Sequence, residues 1–258
     1  MADIGEEKQF SRRDFLKTTG VFTGGILGGS LLGGVFMNQS QMLTDDDPEV
    51  SEESTSEDEA QNESMEARTF FSRSEDFETL AAATERIYPE DDNGPGAIAL
   101  GVPYFIDRQM YGFWGQNSQD YSYGPFEPTS DTHGFQAKLN RGEVFLAGLR
   151  RLQELSMEEH DTAFADLDGG AQDELLRSFE SGDVEIRGVR PETFFSLLRN
   201  ATIEGVYSDP AYGGNKDMQG WKMIEYPGPR MGWAEDIESE EFMSLDPEGL
   251  RSYQGGGI

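Results

Sequence analysis

Between Asn38 and Ala67 the chain carries eleven Asp or Glu residues and no Lys or Arg, set among Ser, Gln and Asn with almost nothing aromatic. Such a stretch cannot bury enough apolar surface to offset the entropy of ordering it, so it reads as a disordered acidic tether. The tether divides the chain. Past Arg68 apolar and aromatic residues return, and the roughly 190 residues that remain suffice for one domain with a full core. The expected organisation is a signal or anchor segment over 1–37, an acidic linker over 38–69 and a folded domain over 70–258.

The segment ahead of the tether has a specific pattern. Ser11, Arg12, Arg13, Phe15, Leu16 and Lys17 match the twin-arginine export signal, in which a hydroxyl residue and two arginines precede Phe-Leu-Lys. From Thr18 to Met37 there is no charge but there are seven glycines, a softer apolar run than an ordinary secretory signal carries. As a helix it would reach roughly 30 Å, about one hydrocarbon core, so its length also permits a membrane anchor. The following residues, GGVFMNQSQ, offer no Ala-x-Ala cleavage pattern, which keeps both a processed and a retained form open. The pattern implies the twin-arginine translocase as a partner and an extracytoplasmic, membrane-associated location.

Acidity is not confined to the tether. The whole chain has 50 Asp or Glu against 20 Lys or Arg, a formal charge of −30, and after residue 68 the only lysines are Lys138, Lys216 and Lys222. An acidic, lysine-poor surface stays hydrated in concentrated salt, where its self-repulsion is screened, so a salt-adapted protein is expected. A nucleic-acid partner is not, because nothing would neutralise its phosphates. Cysteine is absent, which removes disulfides, thiolate metal sites and covalent haem attachment.

Periodicity in the folded part is helical. Phe77, Leu80, Ala81, Thr84, Ile87 and Tyr88 form one stripe, with Ser74 placed to cap it and Pro89 to stop it. Val102, Phe105, Ile106, Met110 and Phe113 form a second, with Pro103 in its first turn. Residues 115–134 show no period and are longer than most connections, so they are expected to lie over something. Helical spacing resumes at 137–156, continues in short pieces through 157–167 and 171–182 with Gly182 as a C-cap, and reopens at Pro191. Strand signals are weak throughout. The predicted fold is mainly α: a single compact helical domain with long irregular loops, preceded by a signal or anchor helix and the disordered tether.

From Val206 to Gly228 the pattern changes to two turn signals, Asp209-Pro210 and Gly213-Gly214, then a short helix and Tyr-Pro-Gly. The arrangement Tyr207, Asp209, Pro210, Tyr212, Gly213, Gly214, Asn215, then Gly220, Trp221, Lys222 and Pro227-Gly228, resembles the gluconate 2-dehydrogenase subunit 3 family. The stretch FETLAAATERIYPEDDNGPGAIALGVPYFIDRQM is similar to that family's N-terminal pattern. The resemblance spans roughly residues 75 to 230. It implies a small, non-catalytic subunit that accompanies a large flavoprotein of the glucose-methanol-choline oxidoreductase type, often with a c-type cytochrome subunit. FAD is then expected in the partner and no cofactor in this chain, and the twin-arginine signal would export both chains once the partner had folded around its flavin. A long acidic tether is a departure from the family pattern.

Other chemistries are weaker. His133 and His160 are the only histidines and read as surface residues. Glu158-Glu159 and Asp91-Asp92 do not make a glycosidase pair, since adjacent residues do not face each other across a cleft. Gly213-Gly214-Asn215 lacks the strand, helix and lysine of a phosphate loop; its glycines would permit positive φ and Asn215 would cap the helix that follows, with Tyr207, Tyr212 and Trp221 packing the turn onto the domain or into a partner. The better interface candidate is the aromatic set Tyr111, Phe113, Trp114, Tyr121, Tyr123 and Phe126, because such rings are enriched at interface cores. A free-standing exported binding protein is the second hypothesis and an independent enzyme the third.

Overall fold

The computed structural model describes residues 66–121, 124–126, 137–232, 238 and 243–253. The export motif from Ser11 to Lys17, the anchor segment 1–37, the acidic stretch up to residue 65, Tyr123 and His133 lie outside these residues.

Within them the protein is helical, with six α-helices and no strand. Helix α1 is Ser74–Ile87 and α2 is Val102–Tyr111. Helix α3 runs over Arg141–His160, α4 over Gly169–Ser181 and α5 over Pro191–Tyr207. A short α6 at Gln219–Met223 completes the set. Helices α1 and α5 occupy the middle: each touches α2, α3 and α4, and they touch one another. The core they share includes Leu80, Leu100, Ile106, Met110, Phe145, Leu149, Leu152, Phe164, Phe179, Phe194 and Leu198, all shut off from solvent. At about 1.5–3 kcal/mol for each large side chain, this burial is what holds the helices together.

Local signals explain most boundaries. Asn140 caps α3 by accepting the Glu143 N–H at 2.8 Å while the Glu143 carboxylate accepts the Asn140 N–H at 2.9 Å, a reciprocal capping box. Asp168 caps α4 through the N–H groups of Gly170 and Ala171. Gly182 ends α4 at φ +82°, as its position after the stripe indicates. Pro191 opens α5.

Three boundaries depart from the sequence expectation. Ser74 does not cap α1: Arg73 holds that position without a side-chain cap bond, and the Ser74 hydroxyl instead accepts from Arg68 at 3.3 Å. Helix α3 continues through Met157–His160 instead of breaking, because its last turn stands exposed and has no stripe to show, while Asp161 terminates it in the left-handed region at φ +51°. Helix α2 stops at Tyr111, so Phe113 leaves the stripe it was expected to extend and is 73% exposed.

Helices α3 and α5 cross closely because Gly148 has no side chain. A Cβ there would lie 2.2 Å from the Phe194 ring, which is itself held by Phe145 and Phe179 at centroid distances of 6.1 and 5.5 Å.

Candidate functional site

Two places carry the chemistry singled out in the sequence: the turn knot after α5 and the loop after α2. The knot begins at Asp209, whose carboxylate is 8% exposed. One oxygen accepts the Ala211 N–H at 2.8 Å, capping a 3-10 turn over Pro210–Tyr212, and the other accepts the Leu250 N–H at 2.7 Å, drawing the C-terminal segment onto the domain. Gly213 then adopts φ +101°, which a side chain would strain, and at Gly214 a Cβ would sit 2.2 Å from the Gly205 carbonyl oxygen. The turn can therefore lie flat against the end of α5 only with glycine at both positions.

Asn215 locks the knot. It is fully buried at φ +48°; its amide donates to the Ser208 carbonyl at 2.8 Å and its oxygen accepts the Gly220 N–H at 2.7 Å. Met218, not Asn215, holds the cap position of α6, and Asn215 reaches the helix through the Gly220 N–H alone. The Lys216 N–H reaches across to the Leu100 carbonyl at 3.1 Å, tying the knot to the turn before α2. Trp221 is buried, donates its indole N–H to the Tyr207 carbonyl at 2.8 Å and meets the Tyr226 ring edge-on at 5.2 Å. The Tyr207 hydroxyl lies 3.4 Å from that of Tyr88, whose pKa is pushed up to about 12 by burial and by this contact. Tyr207 and Trp221 pack the turn inward; Tyr212, 53% exposed, does not.

The aromatic loop is built differently. Tyr111, Phe113 and Tyr121 are 67, 73 and 88% exposed, and Phe126 is exposed as well. Trp114 is the exception. It packs against the core, with the Arg141 guanidinium 4.9 Å from its ring centre. Five of the six candidate interface rings are therefore described, and four of them point to solvent. Isolated apolar side chains on a surface need no explanation; here three large rings stand exposed within eleven residues, from the last residue of α2 into the loop.

Two residues that the sequence reading passed over shape this region. Asp107 is a carboxylate wholly buried beside the apolar stripe of α2, and it accepts four hydrogen bonds: from the Thr69 N–H at 2.5 Å, the Thr69 hydroxyl at 2.7 Å, and the N–H groups of Phe70 and Phe71 at 3.0 and 2.8 Å. It fixes the first residues of the domain, with Phe71 buried behind it. The helical spacing carried no signal for it, because Asp107 lies beside the stripe and is covered only by the incoming Thr69–Phe71 segment. Arg141 sits at the first position of α3, where a cation opposes the helix dipole. That misfit was the only local sign of its role.

No group of three or more His, Asp or Glu among the described residues converges as a metal-ion cage requires, and His160 is exposed. A groove of about 760 Å³ between α3 and the start of α5 is lined by Arg150, Arg151, Arg187 and Arg190. Its arginines are largely satisfied, since Arg150 grips Asp76, Arg151 holds Glu154 and Glu158, and Arg190 lies 3.6 Å from Glu192.

The described part is thus a helical domain whose most prominent outward feature is a set of exposed aromatic rings. A buried turn knot stiffens one end, and exposed rings stand on a fixed loop. A family model described as gluconate 2-dehydrogenase subunit 3 matches residues 74–228, from the first residue of α1 to the glycine that closes the Val206–Gly228 motif. The chain belongs to the gluconate 2-dehydrogenase subunit 3 family, whose members are subunits of dehydrogenase complexes. No curated protein and no solved structure matches it, so the family model carries the assignment. Among the described residues no helix is long and apolar enough to cross a membrane.

Proposed function

We propose that this chain is the non-catalytic accessory subunit of an exported, FAD-dependent sugar or polyol dehydrogenase, and that it carries a large flavoprotein partner through the twin-arginine pathway and stabilises it. The observation that carries this reading is the family match over the entire helical body. The Ser11-Arg12-Arg13 motif supplies the export step, and a route that moves folded proteins suits a partner that must acquire its flavin beforehand. The exposed rings of Tyr111, Phe113 and Tyr121 supply the docking face, since aromatic side chains offer large contact area at small rotamer cost. A cytochrome subunit and a membrane anchor through residues 1–37 complete the proposal.

Copurification of the full chain with its natural neighbours tests it. The expected result is a larger, flavin-coloured chain that stays in the cell when Arg12→Lys and Arg13→Lys are combined, because lysine lacks the planar guanidinium fork. A chain that purifies alone would instead favour a free-standing exported binding protein, and undiminished export of the double variant would overturn the signal. Tyr111→Ala with Phe113→Ala should weaken the association by at least about 2 kcal/mol, as hot-spot rings do. If Tyr212→Ala with Tyr226→Ala weakens it instead, the docking face lies at the turn knot, where those two rings are also exposed.

A further inference from the structure

The stretch 112–121 after α2 carries large rings into water, yet it is held by hydrogen bonds. Its own turns are short: the Gly115 N–H bonds to the Gln109 carbonyl at 3.0 Å, that of Asn117 to Trp114 at 3.1 Å, and that of Ser118 to Phe113 at 3.0 Å. Beyond the packing of Trp114 and the bonds back to α2, these turns are tied to the body by the first two residues of α3. The Gly142 N–H donates to the Gly115 carbonyl at 2.9 Å. The Arg141 N–H donates to the Asn117 side-chain oxygen at 3.0 Å, and the Arg141 guanidinium reaches the Trp114 carbonyl and that same Asn117 oxygen at 3.2 Å each. It also pairs with Asp120 and lies over the Trp114 ring. One side chain, only 12% exposed, thereby holds three loop residues at once.

The arrangement is costly locally. Arg141 stands at a helix N-terminus, where its charge is disfavoured, and Asn117 is held at φ +53°. Neither feature serves the helix. Both serve the loop, because they fix the backbone from Trp114 to Asp120, after Phe113 and ahead of Tyr121.

We infer that Arg141 is a positioning residue for the docking face, holding the loop so that Phe113 and Tyr121 are presented in their bound arrangement before a partner arrives. The inference rests on the docking face proposed above and adds to it that the face is preformed. Preforming removes ordering entropy from the association step, so losing the clasp weakens binding without deleting any contact ring. One terminal guanidinium nitrogen meets these oxygens while the planar group stacks on the indole; a lysine ammonium keeps the charge but has no plane to stack there.

The test compares Arg141→Lys, Asp120→Asn and Phe113→Ala in the full chain. Amide hydrogen exchange is followed in the chain alone, and the dissociation constant is measured against the flavin-bearing chain with which the wild type copurifies. Arg141→Lys should speed exchange at Gly115, Asn117, Ser118 and Asp120 by at least about tenfold, leave α1 and α5 unchanged, and weaken association about five- to twentyfold. Asp120→Asn approaches the clasp from the loop side, leaves α3 intact, and should shift both readouts in the same direction by less. It decides the matter if Arg141→Lys fails to fold. Unchanged loop exchange in both clasp variants would overturn the inference. Faster loop exchange with wild-type affinity, while Phe113→Ala still weakens binding, would overturn it and leave the docking face standing. If Phe113→Ala also binds like the wild type, the docking face itself is wrong.

Discussion

Buried polar side chains decide the local architecture at the residue scale. Asp107 and Asn215 are both fully enclosed, and each is kept there by hydrogen bonds to backbone groups that would otherwise be orphaned. For Asn215 the consequence can be measured. Asn215→Ala strands the Gly220 N–H and the Ser208 carbonyl and places a methyl-bearing residue at φ +48°, so a loss of about 2–4 kcal/mol is expected. Asn215→Gly relieves the backbone strain but not the lost bonds, and should recover about 1 kcal/mol of that loss. Urea titrations of the two variants check this; equal stabilities would mean that φ contributes nothing here.

The relevant interactions between elements are the crossing of α3 with α5 and the tie between α1 and α4. Gly148→Ala would push a methyl into a ring clamped by two others, so a loss of about 1–3 kcal/mol is expected, visible as a lower Tm. A stabilised variant would show that Phe194 can give way. The tie is Arg86 with Asp173, bonded at 2.9 and 3.0 Å. The hydrogen bond from Arg86 holds the Asp173 carboxyl below its ordinary value of 3.8. A lowered folded pKa stabilises the fold at every pH above the ordinary value, and that contribution disappears as pH falls through the lowered one. Both side chains are partly solvated, so the pair is worth about 0.5–1 kcal/mol. Asp173→Asn should therefore cost about that much at neutral pH, and its stability should converge with that of the wild type as pH drops below about 4. A gap that persists at low pH would assign the difference to packing.

Charge dominates the behaviour of the whole molecule. A formal charge of −30 opposes compaction, and salt screens that repulsion over a Debye length of about 10 Å at 0.1 M. The Tm of the full chain should rise by several degrees between about 0.1 M and molar salt, with most of the gain in the first few tenths molar where the screening changes fastest. An unchanged Tm would argue against a salt-adapted surface. The proposed docking face is aromatic rather than ionic, so association should survive molar salt. An affinity that collapses with salt would point to charged contacts instead.

Much was legible because its signal is local. Helical spacing marked α1, α2, α4, α5 and most of α3; Gly182 and Pro191 marked an end and a beginning; and the turn chemistry of Asp209, Gly213 and Asn215 carried both the knot and the family resemblance. Periodicity says which residues share a face, not what covers that face. The inward turn of Trp221 beside an outward Tyr212, the escape of Phe113 from its stripe, and the docking of Trp114 under Arg141 were decided only in three dimensions. The reason is distance along the chain. Asp107 meets its donors 36 to 38 residues away, Arg141 its loop 21 to 27 away, and Asp209 the C-terminal segment 41 away. A single charge at a helix start records that a partner exists. Only the packing of the helices brings that partner within hydrogen-bond reach.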